Sequence, residues 1–93
     1  MPSRLVFRPA AGNDLNHIYD YIQIDNPPAA AKYIDDIEAA CARLVDMPRL
    51  GRRYNANYFY IGARNHLIFY SYDADVVTIE RIIHGKRDLA QQI

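Results

Sequence analysis

Cysteine is almost absent from this sequence: Cys41 is the only one in 93 residues. No intramolecular disulfide and no cysteine-built zinc site can form from one chain, and this usage fits a reducing, cytoplasmic setting. Long apolar runs are lacking too. Nowhere do about 18 apolar residues follow one another, and residues 1–20 lack the basic start and apolar stretch of an export signal, so neither a membrane span nor secretion is expected. The four glycines, at positions 12, 51, 62 and 85, build no phosphate-cradling loop, and no serine stands in a nucleophile-elbow context. Nucleotide hydrolysis is therefore not supported. His17, His66 and His84 fall at no i, i+4 helical spacing and have no cysteine or clustered carboxylate beside them, so no metal and no cofactor are expected.

What is present is an apolar, tyrosine-rich chain. Hydrophobic residues make up 51% and eight residues are tyrosine, enough to fill a core without bridges or metals. A chain of this size buries only about two-thirds of its unfolded surface and seldom supports two cores, so one domain over residues 1–93 is expected. The formal net charge is zero, but the charge is segregated. Asn13 to Asp46 carries seven acids against two bases, a balance of −5, whereas Met47 onward carries seven bases against four acids, a balance of +3. Such a chain is either a pair of helices with acid on their solvated faces or a bipolar molecule whose basic half meets an acidic partner.

The order of elements reads as strand, two helices, three strands. Ser3 to Arg8 alternates, with Leu5 and Phe7 on one side, and Pro9 stops it. Ala11, Leu15, Ile18, Tyr19 and Ile22 then follow the rhythm of an amphipathic helix over about Ala10 to Ile24, with Asp14, Asp20 and Gln23 outward. Asn26 is placed to cap a second helix that opens on proline. Its buried stripe is Ala30, Tyr33, Ile34, Ile37, Cys41, Leu44 and Val45, and it ends before Pro48. Cys41 on that stripe reads as core rather than as a reactive thiol. Aromatic and β-branched runs follow at Tyr58 to Ile61, His66 to Tyr72 and Val76 to Ile83. Gly62-Ala63 and Asp73-Ala74-Asp75 are the expected turns of an antiparallel meander. The last run is apolar on both alternating faces, so one face packs on the helix hairpin and the other needs further cover. The class is α+β, a βααβββ domain with a helix hairpin on an antiparallel sheet.

Two constellations invite a chemical reading. Arg64, His66, His84 and Arg87 gather at one end of the sheet if the register is offset. A histidine to move protons and an arginine to neutralise a phosphorane would serve RNA cleavage through the 2′-hydroxyl. The structural reading of the same residues pairs Arg64 and Arg87 with Asp73, Asp88 or Glu80. Tyr54, Tyr58 and Tyr60 beside Arg52 and Arg53 form a stacking and basic patch suited to nucleic acid, or are ordinary strand residues.

Four segments in order resemble one family, the ParE branch of the RelE/ParE bacterial toxins. They are AAGNDLNHIYDYI from Ala10 to Ile22, LVDMPRLGRR from Leu44 to Arg53, RNHLIFY from Arg64 to Tyr70 and IERIIHGKRD from Ile79 to Asp88. The resemblance implies the βααβββ fold of that superfamily and the toxin role in a type II toxin-antitoxin pair. ParE-like members poison DNA gyrase and are held inactive by a cognate antitoxin whose flexible segment wraps the toxin. RelE-like members cleave messenger RNA on the ribosome and are strongly basic, a pattern from which this neutral chain with two lysines departs. The resemblance thus implies a gyrase binder, with an mRNA endonuclease and a non-toxic, antitoxin-binding regulator as alternatives. Arg64, His84 and Arg87 match recurring family positions and are the candidates if the chain is a nuclease. Arg52, Arg53, Tyr58, Tyr60, Lys86 and Arg87 are the candidates for target or partner binding. Operator DNA would be reached only through the antitoxin.

Overall fold

In the computed structural model, residues 4–85 are described. Strand β1 (Arg4–Phe7) leads into helix α1 (Pro9–Gln23), and helix α2 (Pro27–Asp46) follows after a short turn. A two-residue strand β2 (Arg52–Arg53), then β3 (Phe59–Ala63), β4 (His66–Asp73) and β5 (Val76–His84) complete the fold. Both helices start on proline, where a missing N–H costs nothing. At α2 the Asn26 side chain accepts the Ala29 N–H at 3.1 Å, as its capping position predicts. Ala30, Tyr33, Ile37, Cys41 and Leu44 are buried along α2, so the expected stripe is the core-facing one. On α1, Tyr19 departs from the expected stripe and is 40% exposed.

The five strands are ordered β1-β5-β4-β3-β2. The meander β3-β4-β5 is antiparallel as expected, while β1 joins β5 in parallel and makes the sheet mixed. Arg52–Arg53 adds an edge strand that its short, arginine-only stretch does not announce. The first hairpin turns at Arg64-Asn65 rather than at Gly62-Ala63, and Arg64 takes a left-handed φ of 57°. Ala74 does the same at the second hairpin with φ of 51°. Glycine is the usual occupant of such φ values, which is why Gly62 draws the turn in a reading of the sequence.

A bulge decides which residues of β5 face the helices. Phe69 pairs with Arg81 and Tyr70 with Ile79, so Glu80 is skipped and the alternation changes phase. Val77 and Ile79 before the bulge and Ile82 after it therefore all join the core beneath the helices, with Ile37, Leu44, Ile68 and Tyr70. Arg81 and Ile83 pass to the opposite face with their partners Phe69 and Leu67.

That opposite face has no helix over it among the described residues. The segment 54–58 folds across it instead: Tyr54 N–H donates to the Tyr58 carbonyl at 2.9 Å, and the Tyr54 ring meets Phe69 edge-on at 5.1 Å. Asn55 accepts the N–H groups of Asn57 and Tyr58 and so closes the turn with its own side chain.

Candidate functional site

The end of the sheet at the first hairpin collects most of the candidate nuclease residues. His66 and His84 are direct cross-strand partners, so no register offset is needed to bring them together. Their rings meet edge-on at 5.3 Å. Tyr33 of α2 reaches the same end, with its hydroxyl 2.7 Å from His66 Nδ1. Asn65 N–H donates to the Tyr33 oxygen at 3.1 Å, so this one hydroxyl ties α2 to both the hairpin turn and the first residue of β4.

Arg64 is next to this pair in sequence but its charge is spent elsewhere. The guanidinium donates to Asp36 of α2 at 2.5 Å and lies over the Tyr33 ring, 4.5 Å from its centre. The Arg64 hydrogen bond is the main cause that holds the Asp36 carboxyl below its ordinary value, and Lys32 adds to it. Among the described residues Arg64 pairs with Asp36 rather than with the expected Asp73 or Glu80; Glu80 instead sits 3.4 Å from Arg8 and accepts from Ser71. Lys86 and Arg87, and with them Asp88, lie outside the described residues.

Asp14 is the residue that a reading of the sequence misplaces. It turns inward, and its two oxygens accept Arg81 Nε at 2.8 Å and Nη2 at 3.0 Å. The Ile82 N–H donates to it at 2.9 Å as well. The cause is a length mismatch: β1 pairs with β5 only from Val76 to Ile79, so beyond that point β5 has no strand on this side among the described residues. Helix α1 fills the place, and a carboxylate satisfies the edge N–H that β1 leaves unpaired. An acid at an inward helical position, with an arginine on an otherwise apolar strand, was the available signal.

On the other face lies an apolar groove of about 650 Å³ between Pro9 and Ala10 on one side and Tyr54 and Tyr58 on the other, floored by Phe69 and Ile83. Tyr58 lines it, whereas Tyr60 packs its ring on Phe69 at 5.7 Å. Arg53 lies over Phe59 at 4.9 Å and donates to the carbonyls of Asn55 and Ala56, so it braces the covering segment. Arg52 is exposed on the edge strand. The basic and aromatic patch is therefore real as a surface, but part of it serves the fold.

Two other groups have shifted proton affinities with structural causes. Burial pushes the Cys41 thiol up to about 12, which makes it an inert core residue. Burial also raises Tyr70, whose hydroxyl donates to the Pro48 carbonyl at 2.7 Å and accepts from Gly51 N–H at 2.9 Å. No cluster of ligating side chains suited to a metal occurs among the described residues. No helix among them is long and apolar enough to cross a membrane.

A family model described as the ParE toxin of the type II toxin-antitoxin system parDE matches residues 5–89. The chain belongs to the ParE toxin family. A chain of the chromosomal ParDE TA system from P. aeruginosa is similar in fold, with a TM-score of 0.76 at 23% identity over 88% of this chain and 95% of that one. The toxin-antitoxin complex RelBE2 from Mycobacterium tuberculosis contains a chain with a TM-score of 0.63 at 26% identity, over 90% of this chain and 99% of that one. No curated protein matches the sequence. The ParE-family assignment accords with the two helices on a five-stranded mixed sheet, and both similar structures come from toxin-antitoxin systems.

Proposed function

We propose that this ParE-family toxin arrests growth by binding DNA gyrase, and that a cognate antitoxin keeps it inactive by laying a segment along the open face of the sheet. The observation that favours binding over RNA cleavage is the state of Arg64. A nuclease needs a cation free to meet the charge that grows on the phosphate in the transition state. Arg64 is instead held by Asp36 and stacked on Tyr33. For the antitoxin, the support is the groove between Pro9 and Tyr54, where Phe69 and Ile83 are flanked, among the described residues, by the segment 54–58 and the start of α1 rather than by a packed helix. Tyr58 in the groove wall and Arg52, exposed on the edge strand β2, suit an amphipathic, acidic segment.

Purified chain, added to gyrase and relaxed plasmid, is expected to block supercoiling, and His84→Ala is expected to inhibit almost as well. In cells, DNA-damage signalling should precede any loss of messenger RNA. Rapid cleavage of ribosome-bound messenger RNA that disappears with His84→Ala or Arg64→Ala would make the endonuclease reading the correct one, because losing an acid-base or charge-stabilising group costs about two to four orders of magnitude.

A further inference from the structure

Between α2 and β2 the chain turns at Met47 to Leu50, and the backbone of that turn is tied down at every step. Met47 N–H donates to the Arg43 carbonyl at 3.0 Å, and Leu50 N–H closes the turn on the Met47 carbonyl at 3.0 Å. From below, the Tyr70 hydroxyl donates to the Pro48 carbonyl and accepts from Gly51 N–H. Tyr70 is completely buried, so the turn is fastened to the core of the domain. Its apolar side chains nevertheless point away from that core. Met47 is 53% exposed and Leu50 44%, and among the described residues they are two of only five large hydrophobic side chains left in water. With Asp46, Pro48 and Arg49 they line a cavity of about 450 Å³.

We infer that this turn is the surface by which the chain meets its target, with Met47 and Leu50 seated in an apolar recess on an acidic face of gyrase. The inference rests on the gyrase reading and adds to it where the contact lies. One exposed apolar residue needs no explanation, but two on one rigid turn make a ready anchor. Because the fold already orders their backbone, less freedom is lost when they are buried by a partner. The sign of the partner follows from the charge around them. Residues 43–53 carry four arginines against one acid, Asp46. Arg53 braces the covering segment, whereas Arg43, Arg49 and Arg52 are exposed and form no ion pair with another described residue. Methionine and arginine together are the composition of a protein interface, and unpaired arginines at its rim attract a carboxylate-rich face. A nucleic-acid backbone would answer the arginines but leave Met47 and Leu50 in water. None of the residues lining this cavity lines the groove between Pro9 and Tyr54, so the target surface is separate from the one read as the antitoxin's.

The test is binding of the full-length chain to immobilised gyrase at low and high ionic strength. The native chain is expected to bind, with an association rate that falls as salt rises. The double variant Met47→Ser/Leu50→Ser should bind about tenfold or more weakly, mainly through faster dissociation. Arg49→Glu should slow association about tenfold at low salt and much less at high salt. Ile24→Ser is the control, since it removes a side chain that is 74% exposed at the opposite end of the 20-residue helix α2, about 30 Å away, and should change nothing. Native affinity in the double variant, or an equal loss in Ile24→Ser, overturns the inference and leaves the gyrase reading standing. A native chain that does not bind gyrase overturns both. Equally tight binding to plasmid alone would mean that the arginines read phosphates, and it overturns the assignment to a protein face. Should the double variant fail to fold, Arg49→Glu decides, because a native association rate and native salt dependence in that variant also overturn the inference.

Discussion

The two faces of the sheet are both apolar, but they are closed by different means. On the helix side Ile37, Leu44, Ile68, Tyr70 and Ile79 are completely buried. On the open side Phe69 and Ile83 are nearly as inaccessible, at 7% and 4%, yet their cover is the segment 54–58 and the start of α1. Helices satisfy their own backbone groups and can therefore lie flat on apolar side chains over a long stretch. A loop needs its polar groups near water, so it roofs only part of the face and leaves a groove beside it. One face is thus the stability of the domain, and the other is the surface with room for a partner.

Truncation on each face is the most direct way to break that comparison. Ile37→Ala, which empties a fully buried site between α2 and the sheet, is expected to cost about 2–5 kcal/mol. Tyr54→Ala removes mainly an edge-to-face ring contact from a loop and should cost only about 1 kcal/mol. Urea denaturation of the two variants measures both. A Tyr54→Ala cost equal to that of Ile37→Ala would mean that the covering segment is core and that the open face is not held in reserve.

The joint between the faces can be tested at Tyr70. Its ring lies in the helix-side core while its hydroxyl ties down the chain entering β2, through Pro48 and Gly51. Tyr70→Phe should cost about 1–2 kcal/mol, since a partly buried carbonyl and N–H lose their shared partner. Gly51→Ala should also destabilise: its Cβ would fall 2.5 Å from the Tyr70 oxygen and 2.7 Å from the Tyr60 carbonyl. Combining the two relieves one clash only, so the double variant in thermal melts should stay below Tyr70→Phe alone. A double variant as stable as Tyr70→Phe would show that the Tyr60 carbonyl moves aside freely.

The smallest expected effect sharpens the comparison at the surface. Asp36 titrates below its ordinary value near 3.8, chiefly because Arg64 bonds to its charged form. A lowered carboxylate adds stability that is present above the ordinary value and is lost as pH falls through the lowered one. The pair is solvent-exposed, so the slope is shallow. Denaturation midpoints between pH 6 and pH 2.5 should fall more steeply for the native chain than for Arg64→Ala. Matching acid slopes would show that the pair contributes nothing to the hairpin end.

Short-range patterns carried the helices. The i, i+3 and i, i+4 recurrence of Ala30, Tyr33, Ile37, Cys41 and Leu44, the Asn26 cap and the paired prolines all act within one or two turns, so they are readable in the sequence. The family too was legible, because its four segments are local strings in a set order. Strand alternation is less robust. One skipped residue at Glu80 inverts every later position of β5, and nothing in a run of Val, Ile, Thr and Glu marks where that happens. The first turn was misread at Gly62 because Arg64 holds a backbone conformation that sequence patterns reserve for glycine, whereas the second, at Asp73 to Asp75, lies where it was expected.

By itself the sequence determined the α+β class, the core stripe of α2, the unreactive Cys41 and the family. Only the tertiary structure decided that Asp14 faces Arg81, that Arg64 is claimed by Asp36, and that His17, His66 and His84 surround one bay. Local elements follow from periodicities and caps that act over a few residues. Which charge is neutralised, and which groups share a cavity, depends on how far β5 outruns β1 and on the phase set by one bulge, and both are settled only when distant segments pack together.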